Sequence, residues 1–215
     1  MASTMWSYGN FTILSADGIP FKVEDYHLRS ASTVFRDMFA TGSGPGQIEL
    51  TDLDIESSHT VHCALDFLIN GTFHGDEVKC LVSTALFFKK YDCSAAIKNF
   101  IARIGHEKFV PRVKLFIVTA ALDDEKACAG ALDHPVPQWD GPCSTALVNE
   151  TAKPASVYLD GSQLDTSTWS LEWVTATPHE YRWALDRGWK LARARNKFLK
   201  FEFQNQLKVA KAAKR

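Results

Sequence analysis

This 215-residue chain has no apolar run near the roughly 18 residues that a membrane-spanning helix needs, so no membrane partner is expected. Its first residues, Met1 to Gly9, lack the basic start and apolar stretch of a secretory signal. Five cysteines (Cys63, Cys80, Cys93, Cys128 and Cys143) are odd in number and scattered, without a Cys-x-x-Cys pair. Reduced thiols are expected rather than a disulfide framework, in an intracellular protein of the cytoplasm or nucleus. There is no Gly-x-Ser-x-Gly nucleophile turn and no cysteine set beside a plausible His and Asn order. The run Gly42 to Gly46 has alternate glycines but lacks the Lys and Ser/Thr of a phosphate-binding loop, and reads as flexible linker. No enzyme, catalytic residue or cofactor is expected. No internal repeat is present.

Two polar groupings invite metal chemistry. His59, His62, Cys63, His74 and Cys80 fall within 22 residues, and zinc favours such nitrogen and sulfur ligands. His59 and Cys63 are four apart and share a helical face. Cys63, however, falls beside the apolar face with Ala64, and the expected reading is core thiols and surface histidines, with no metal. Asp52, Asp54 and Glu56 alternate as in a calcium loop, but the required Gly and terminal Glu are missing. These acids are expected at the positive end of a helix.

What the chain does have is periodicity. Phe11 and Ile13, then Ile19, Phe21 and Val23, alternate apolar and polar, as two strands with one buried face do. Asp17-Gly18 between them supplies a hairpin turn. Leu28, Val34, Phe35, Met38 and Phe39 recur at helical spacing, as two short helices broken near Ser30 to Ser32. Thr41 to Gly46 is a loop, and Ile48 to Leu50 a third strand. Glu56 or Ser57 caps a helix with Val61, Ala64, Leu65 and Leu68 on one face, ended by Gly71. Further helical faces run through Val78 to Leu86 and Ala95 to Ile104. The expected core includes Phe35, Phe39, Leu65, Leu68, Leu86 and Ile101.

The second half changes character. Pro111 to Leu122 and Glu125 to Leu132 read as a helical pair. Asp133 to Ala155 holds four prolines and no clear period, as a long loop does. Trp169 to Ala176 is a short helix whose tryptophans, with Trp183, pack the helical tail. Pro178 opens a long helix with Tyr181, Ala184, Leu185, Gly188, Leu191 and Ala192 on one face. It is expected to run to about Leu207 as a single helix, its end projecting and residues 208–215 frayed.

The order and spacing of Phe11 to Val23, Leu28 to Phe39, Ala64 to Gly71 and Leu81 to Asp92 resemble the BTB/POZ domain, a protein-interaction module. The run Pro178 to Leu185 resembles a tail element of fungal BTB-domain proteins. The resemblance implies an α+β fold: a small three-stranded sheet packed with helices over residues 10–105, after a short tail at 1–9. A mainly helical extension follows over 106–215, with a loop-rich insertion near 133–164. It also implies a non-enzymatic scaffold or adaptor that binds protein partners, with Arg36, Asp37, Met38, Asp66, Ile69 and Asn70 as the candidate partner surface.

Departures from the family narrow this. Asn10 and Glu24-Asp25 stand where an acid and His-Lys are usual. The loop from Ala40 to Gln47 lacks the apolar-x-Glu motif of cullin-recruiting members, and Ile69-Asn70-Gly71 replaces their Tyr-Thr-Gly. A cullin ubiquitin-ligase adaptor is therefore the second reading. Ten residues precede Phe11, too few for the extra strand and helix through which many BTB transcription factors dimerise, so no strand-exchanged dimer is expected.

The overall net charge of −1 hides an asymmetry. From Arg187 to Arg215 ten basic residues meet one acid, Glu202, so the tail carries +9 and the rest −10. Such a split suits a nucleic-acid surface, with Arg193, Arg195, Lys197 and Lys200 as candidates. A nuclear regulator contacting nucleic acid or chromatin is the third reading. The interleaving of these charges with Leu191, Phe198, Leu199, Phe201 and Phe203 favours a solvated helix face.

Overall fold

The computed structural model of the protein describes residues 6–41, 46–74, 77–106, 112–132, 164, 166–195 and 199–214, and side chains 193–195 lie outside the description. The chain forms two units, 1–103 and 104–215. The fold is α+β and mostly helical, with one small three-stranded mixed sheet.

In the first unit, β1 (Phe11–Leu14) pairs antiparallel with β2 (Pro20–Val23), with Phe11 opposite Val23 and Ile13 opposite Phe21. All four are buried, as the alternation predicts. In the turn Gly18 takes the positive φ (79°), where only glycine avoids a Cβ penalty. Asp17 serves through its side chain, accepting from the Ser15 hydroxyl (2.7 Å) and from Ser58 N–H (2.7 Å). The third strand, β3 (Gln47–Glu49), lies parallel to β1 on its other edge, giving the order β2-β1-β3. It ends one residue earlier than predicted, although Leu50 N–H still donates to Leu14 O (2.8 Å).

Helices α1 (Asp25–Ala31) and α2 (Thr33–Ala40) are broken at Ser32, inside the predicted window. Ser32 is extended there, and its hydroxyl accepts from Phe35 N–H (3.0 Å) and donates to Tyr91 O. That is the side-chain cap a helix start needs. Ser57 caps α3 (Ser58–Asn70), and Gly71 closes it in the left-handed conformation (φ 67°). Helices α4 (Val78–Lys90) and α5 (Ser94–His106) follow.

Phe35 and Leu65 are fully buried, Phe35 lying flat on Tyr91 with centroids 4.7 Å apart. Phe39, Leu68, Leu86 and Ile101, expected in the core, are only half-buried. Phe39 sits at the rim, edge-on to Phe11 (4.7 Å) and beneath the Arg29 guanidinium (4.5 Å). Helix α4 turns Leu81, Ala85 and Phe88 inward together with Phe87, which puts Leu86 on the flank. In α5 the buried stripe is Ala96, Phe100 and Ile104, at spacing four, and Ile101 lies beside it. Phe100 is the aromatic hub here, with Phe67 (5.0 Å) and Phe88 (5.6 Å) edge-on.

In the second unit, α6 (Arg112–Ala121) and α7 (Glu125–Ala131) form the predicted helical pair. Asp123 bridges them at positive φ (61°), and Asp124 caps α7 by accepting from Ala127 N–H (2.9 Å). A short 3-10 turn (Thr166–Thr168) and α8 (Leu171–Ala176) precede α9 (His179–Arg195). Trp169 is buried and edge-on to Trp173 (6.0 Å).

The single long terminal helix is not what forms. Helix α10 (Leu199–Ala213) folds back along α9. The pairings run in opposite directions: Gly188 against Phe203, Tyr181 against Lys211, Glu180 against Lys214. Burial explains it. A continuous helix would leave Phe203 and Leu207 in water, whereas folding back seals Phe203 against Phe116 (5.4 Å) and Tyr181 (6.3 Å). The basic residues are no obstacle, because Lys211 finds Asp123 (2.6 Å) and Glu125 (2.8 Å), and Lys214 finds Glu180 (3.2 Å). Residues 208–213 are accordingly helical and anchored, not frayed. The insertion expected at 133–164 lies outside the described residues, except Leu164.

Two substitutions test these packings. Phe35→Ala should destabilise the protein by about 3–5 kcal/mol, read from urea melts, whereas the rim residue Phe39 should cost less. Gly188 is the close-approach point of the α9–α10 hairpin, since a Cβ there would lie 2.9 Å from Phe203 N. Gly188→Val should lower the melting temperature and speed amide exchange across α10; unchanged exchange would contradict the fold-back.

Candidate functional site

The surface expected to meet partners divides in two. On α2, Arg36 and Asp37 are exposed and Met38 is half-buried. At the end of α3, Asn70 is exposed and Ile69 half-buried, but Asp66 is buried. Asp66 is not a surface residue: its carboxylate accepts from the Asn70 amide and meets His74 Nε2. Burial opposes its charge, yet these two partners outweigh burial and hold the carboxyl below its ordinary range. Helical spacing alone could not show this, because His74 lies beyond the Gly71 cap.

The same helix brings together two groups of metal-ligating side chains. The first is His62, Asp66 and His74. Trp6, itself buried, donates its indole N–H to His62 Nδ1 (2.8 Å). An indole N–H can only donate, so Nδ1 accepts and the ring is the neutral tautomer protonated at Nε2, a form that burial also favours by lowering the His62 pKa. That tautomer has no free lone pair for a metal, and Asp66, bonded to Asn70 and His74, supports the end of α3.

The second group is His59, Cys63 and Cys80. The periodicity paired His59 with Cys63, and their Nε2 and Sγ are 3.9 Å apart. What it did not reveal is that α4 delivers Cys80 to the same point, with its sulfur 3.4 Å from that of Cys63. His59 is exposed and both cysteines are buried. The Thr60 hydroxyl, donating to Ser83 Oγ (3.1 Å), fixes α3 against α4 beside them. The sulfur–sulfur contact divides the two thiols: it lowers Cys80, against burial and with the help of His59 and the Thr84 hydroxyl, and together with burial it raises Cys63. Burial pushes Cys93 and Cys128 up to about 11 and about 12.

Of the two candidates for the cap of α3, one takes it and the other has a different role. Ser57 is the cap of α3, and Glu56 turns inward. Its carboxylate accepts from Thr51 N–H (2.9 Å), Asp52 N–H (2.8 Å) and Tyr91 O–H (2.6 Å), and pairs with Lys90 Nζ (2.6 Å). Of the basic tail residues, Lys200 is half-buried on α10, while the Arg193 and Arg195 side chains and Lys197 lie outside the described residues.

No family model, curated protein or solved structure matches the chain. Among the described residues no helix is long and apolar enough to cross a membrane.

Glu56 generates a pH prediction. Burial raises its pKa, but Lys90, Tyr91 and the two backbone amides prevail and leave it below 4.5. A depressed carboxyl adds stability that is complete above its unfolded value and lost as pH falls through the folded one. Acid unfolding should therefore steepen below pH 4.5. Glu56→Gln should flatten that limb and lower stability at neutral pH by about 1–3 kcal/mol. An unchanged acid profile would remove Glu56 from this role.

Proposed function

We propose that this chain is a non-enzymatic protein-interaction module of the BTB/POZ kind, extended by a helical second unit. One observation carries the reading. Residues 11–106 build a β-hairpin, two short helices, a strand returning parallel to the first, and three longer helices. This is an α+β layer arrangement of the kind the sequence resemblance implies. The buried polar groups around Glu56, Ser32 and Asp66 hold this frame together, and α2 leaves Val34, Arg36 and Asp37 outward. An exposed apolar side chain beside two charges of opposite sign suits a modest protein interface, where few residues carry most of the affinity.

The experiment is affinity purification of the full chain from its cells of origin with quantitative mass spectrometry. The Val34→Asp, Arg36→Asp, Asp37→Arg variant runs in parallel, with circular dichroism confirming its fold. A partner reduced at least about tenfold by the variant, the effect of ~1.4 kcal/mol, supports the reading. If that partner is a cullin, the module acts as a ubiquitin-ligase adaptor. If every captured protein is retained equally by the variant, α2 is not the interface and the proposal fails.

A further inference from the structure

We propose that His59, Cys63 and Cys80 form a binding site for a thiophilic divalent metal ion of the zinc type, joining α3 to α4. Such a site gives these residues a role beyond that of core thiols and a surface histidine, and it is independent of the interaction role.

Geometry comes first. Ligand atoms of all three residues lie within 4.8 Å of one another. A tetrahedral zinc with bonds of about 2.3 Å to sulfur and 2.0 Å to nitrogen separates two sulfurs by about 3.8 Å and a sulfur from a nitrogen by about 3.5 Å. The observed separations are 3.4 Å between the sulfurs and 3.9 Å from Cys63 Sγ to His59 Nε2. Shifts of a few tenths of an ångström, within reach of side-chain rotation, seat the ion.

The donor chemistry agrees. Two thiolates and one imidazole are a soft set that zinc prefers over magnesium or calcium, which take oxygen. Such a set of three leaves the fourth position to water or to a donor from elsewhere. His59, exposed at the start of α3, gives the ion a route from solvent to the buried sulfurs. His59 also differs from its neighbour His62, whose Nδ1 is already taken by the Trp6 indole.

The surroundings supply a further sign. Among the described residues, Thr84 Oγ1 is the buried side-chain polar atom without a hydrogen-bond partner. Thr84 lies one turn after Cys80 on α4, which sets its hydroxyl on the Cys80 side of the helix. A donor held beside a sulfur is the support that metal thiolates draw from their surroundings. The ion needs both sulfurs as thiolates and so competes with protons for them, and affinity must fall as pH falls. No electron transfer is involved.

The test uses the full chain, reduced and stripped of metal, titrated with cobalt(II) and then zinc(II). One equivalent of cobalt should give a sulfur-to-metal charge-transfer band and the intense visible bands of a tetrahedral centre, both abolished when zinc displaces it. Cys80→Ser should remove the band. His59→Gln, at an exposed position where folding is not at stake, should weaken binding at least about tenfold, as expected for loss of one ligand. Cys93→Ser and Cys128→Ser should leave binding unchanged. The absence of a charge-transfer band in the folded reduced protein would overturn the site, as would a band that survives in both His59→Gln and Cys80→Ser. A Cys63–Cys80 disulfide found by mass spectrometry in protein that takes up no metal when reduced would show a redox pair instead.

Discussion

The first unit hangs on one buried carboxylate. Glu56 is 1% exposed, and an unpaired charge at that depth is prohibitively costly. It is held by Thr51 and Asp52 N–H from the loop after β3, and by Lys90 and Tyr91 from the end of α4. Its own carbonyl accepts from Ala16 N–H (2.9 Å) at the hairpin turn. Tyr91 extends the network, because its ring stacks on Phe35 and its carbonyl accepts from Ser32 at the α1–α2 break. Sheet, helix break and α4 are thus tied through two residues that stand 35 apart in the chain. Burying such a node costs desolvation, and what it gives in return is a fixed register between elements that hydrophobic packing alone would leave free to slide.

The second unit uses a looser version of the same device. Tyr181 is fully buried, and its hydroxyl donates to Asp123 (2.6 Å). Lys211 reaches Asp123 and Glu125 and lies over the Tyr181 ring (5.0 Å). Here the charges are part-exposed, and such pairs contribute little each. Their role is to fix the direction of α10, while Phe203 and Leu207 supply the energy by leaving water.

This difference explains what could be read from the sequence. Alternation at Phe11 to Val23 and the spacing of Val61, Ala64 and Leu65 gave strands and helices at the right places, because local period and a single buried face agree there. Punctuation was legible where one residue type fits one backbone state, at Gly18 and Gly71. The terminal hairpin was not. The run from Pro178 to Leu207 has helical propensity throughout, and the fold-back depends on Gly188 meeting Phe203, a long-range match that no local window contains. Asp66 and Glu56 were misread for a related reason. Each has its partners in another segment, His74 past a helix end and Tyr91 on another helix, and spacing reports faces rather than partners.

The α3–α4 seam shows how hydrogen-bond completeness separates structural from chemical roles within one helix. At its end, Asp66 joins Asn70 and His74, and Trp6 donates to His62. At its start, Ser57, Thr60 and Ser83 form a chain of hydroxyls, each with a partner. Between them sit two sulfurs that have chiefly each other, an imidazole nitrogen facing sulfur, and a buried threonine hydroxyl with no partner. Sulfur is a weak hydrogen-bond former, so this stretch gains little by being polar if it serves packing alone. Alanine or valine in place of Cys63, Cys80 and Thr84 would fill the seam at no desolvation cost. A run of polarisable donors kept where apolar residues would suffice is physically reasoned if something else is meant to bind them.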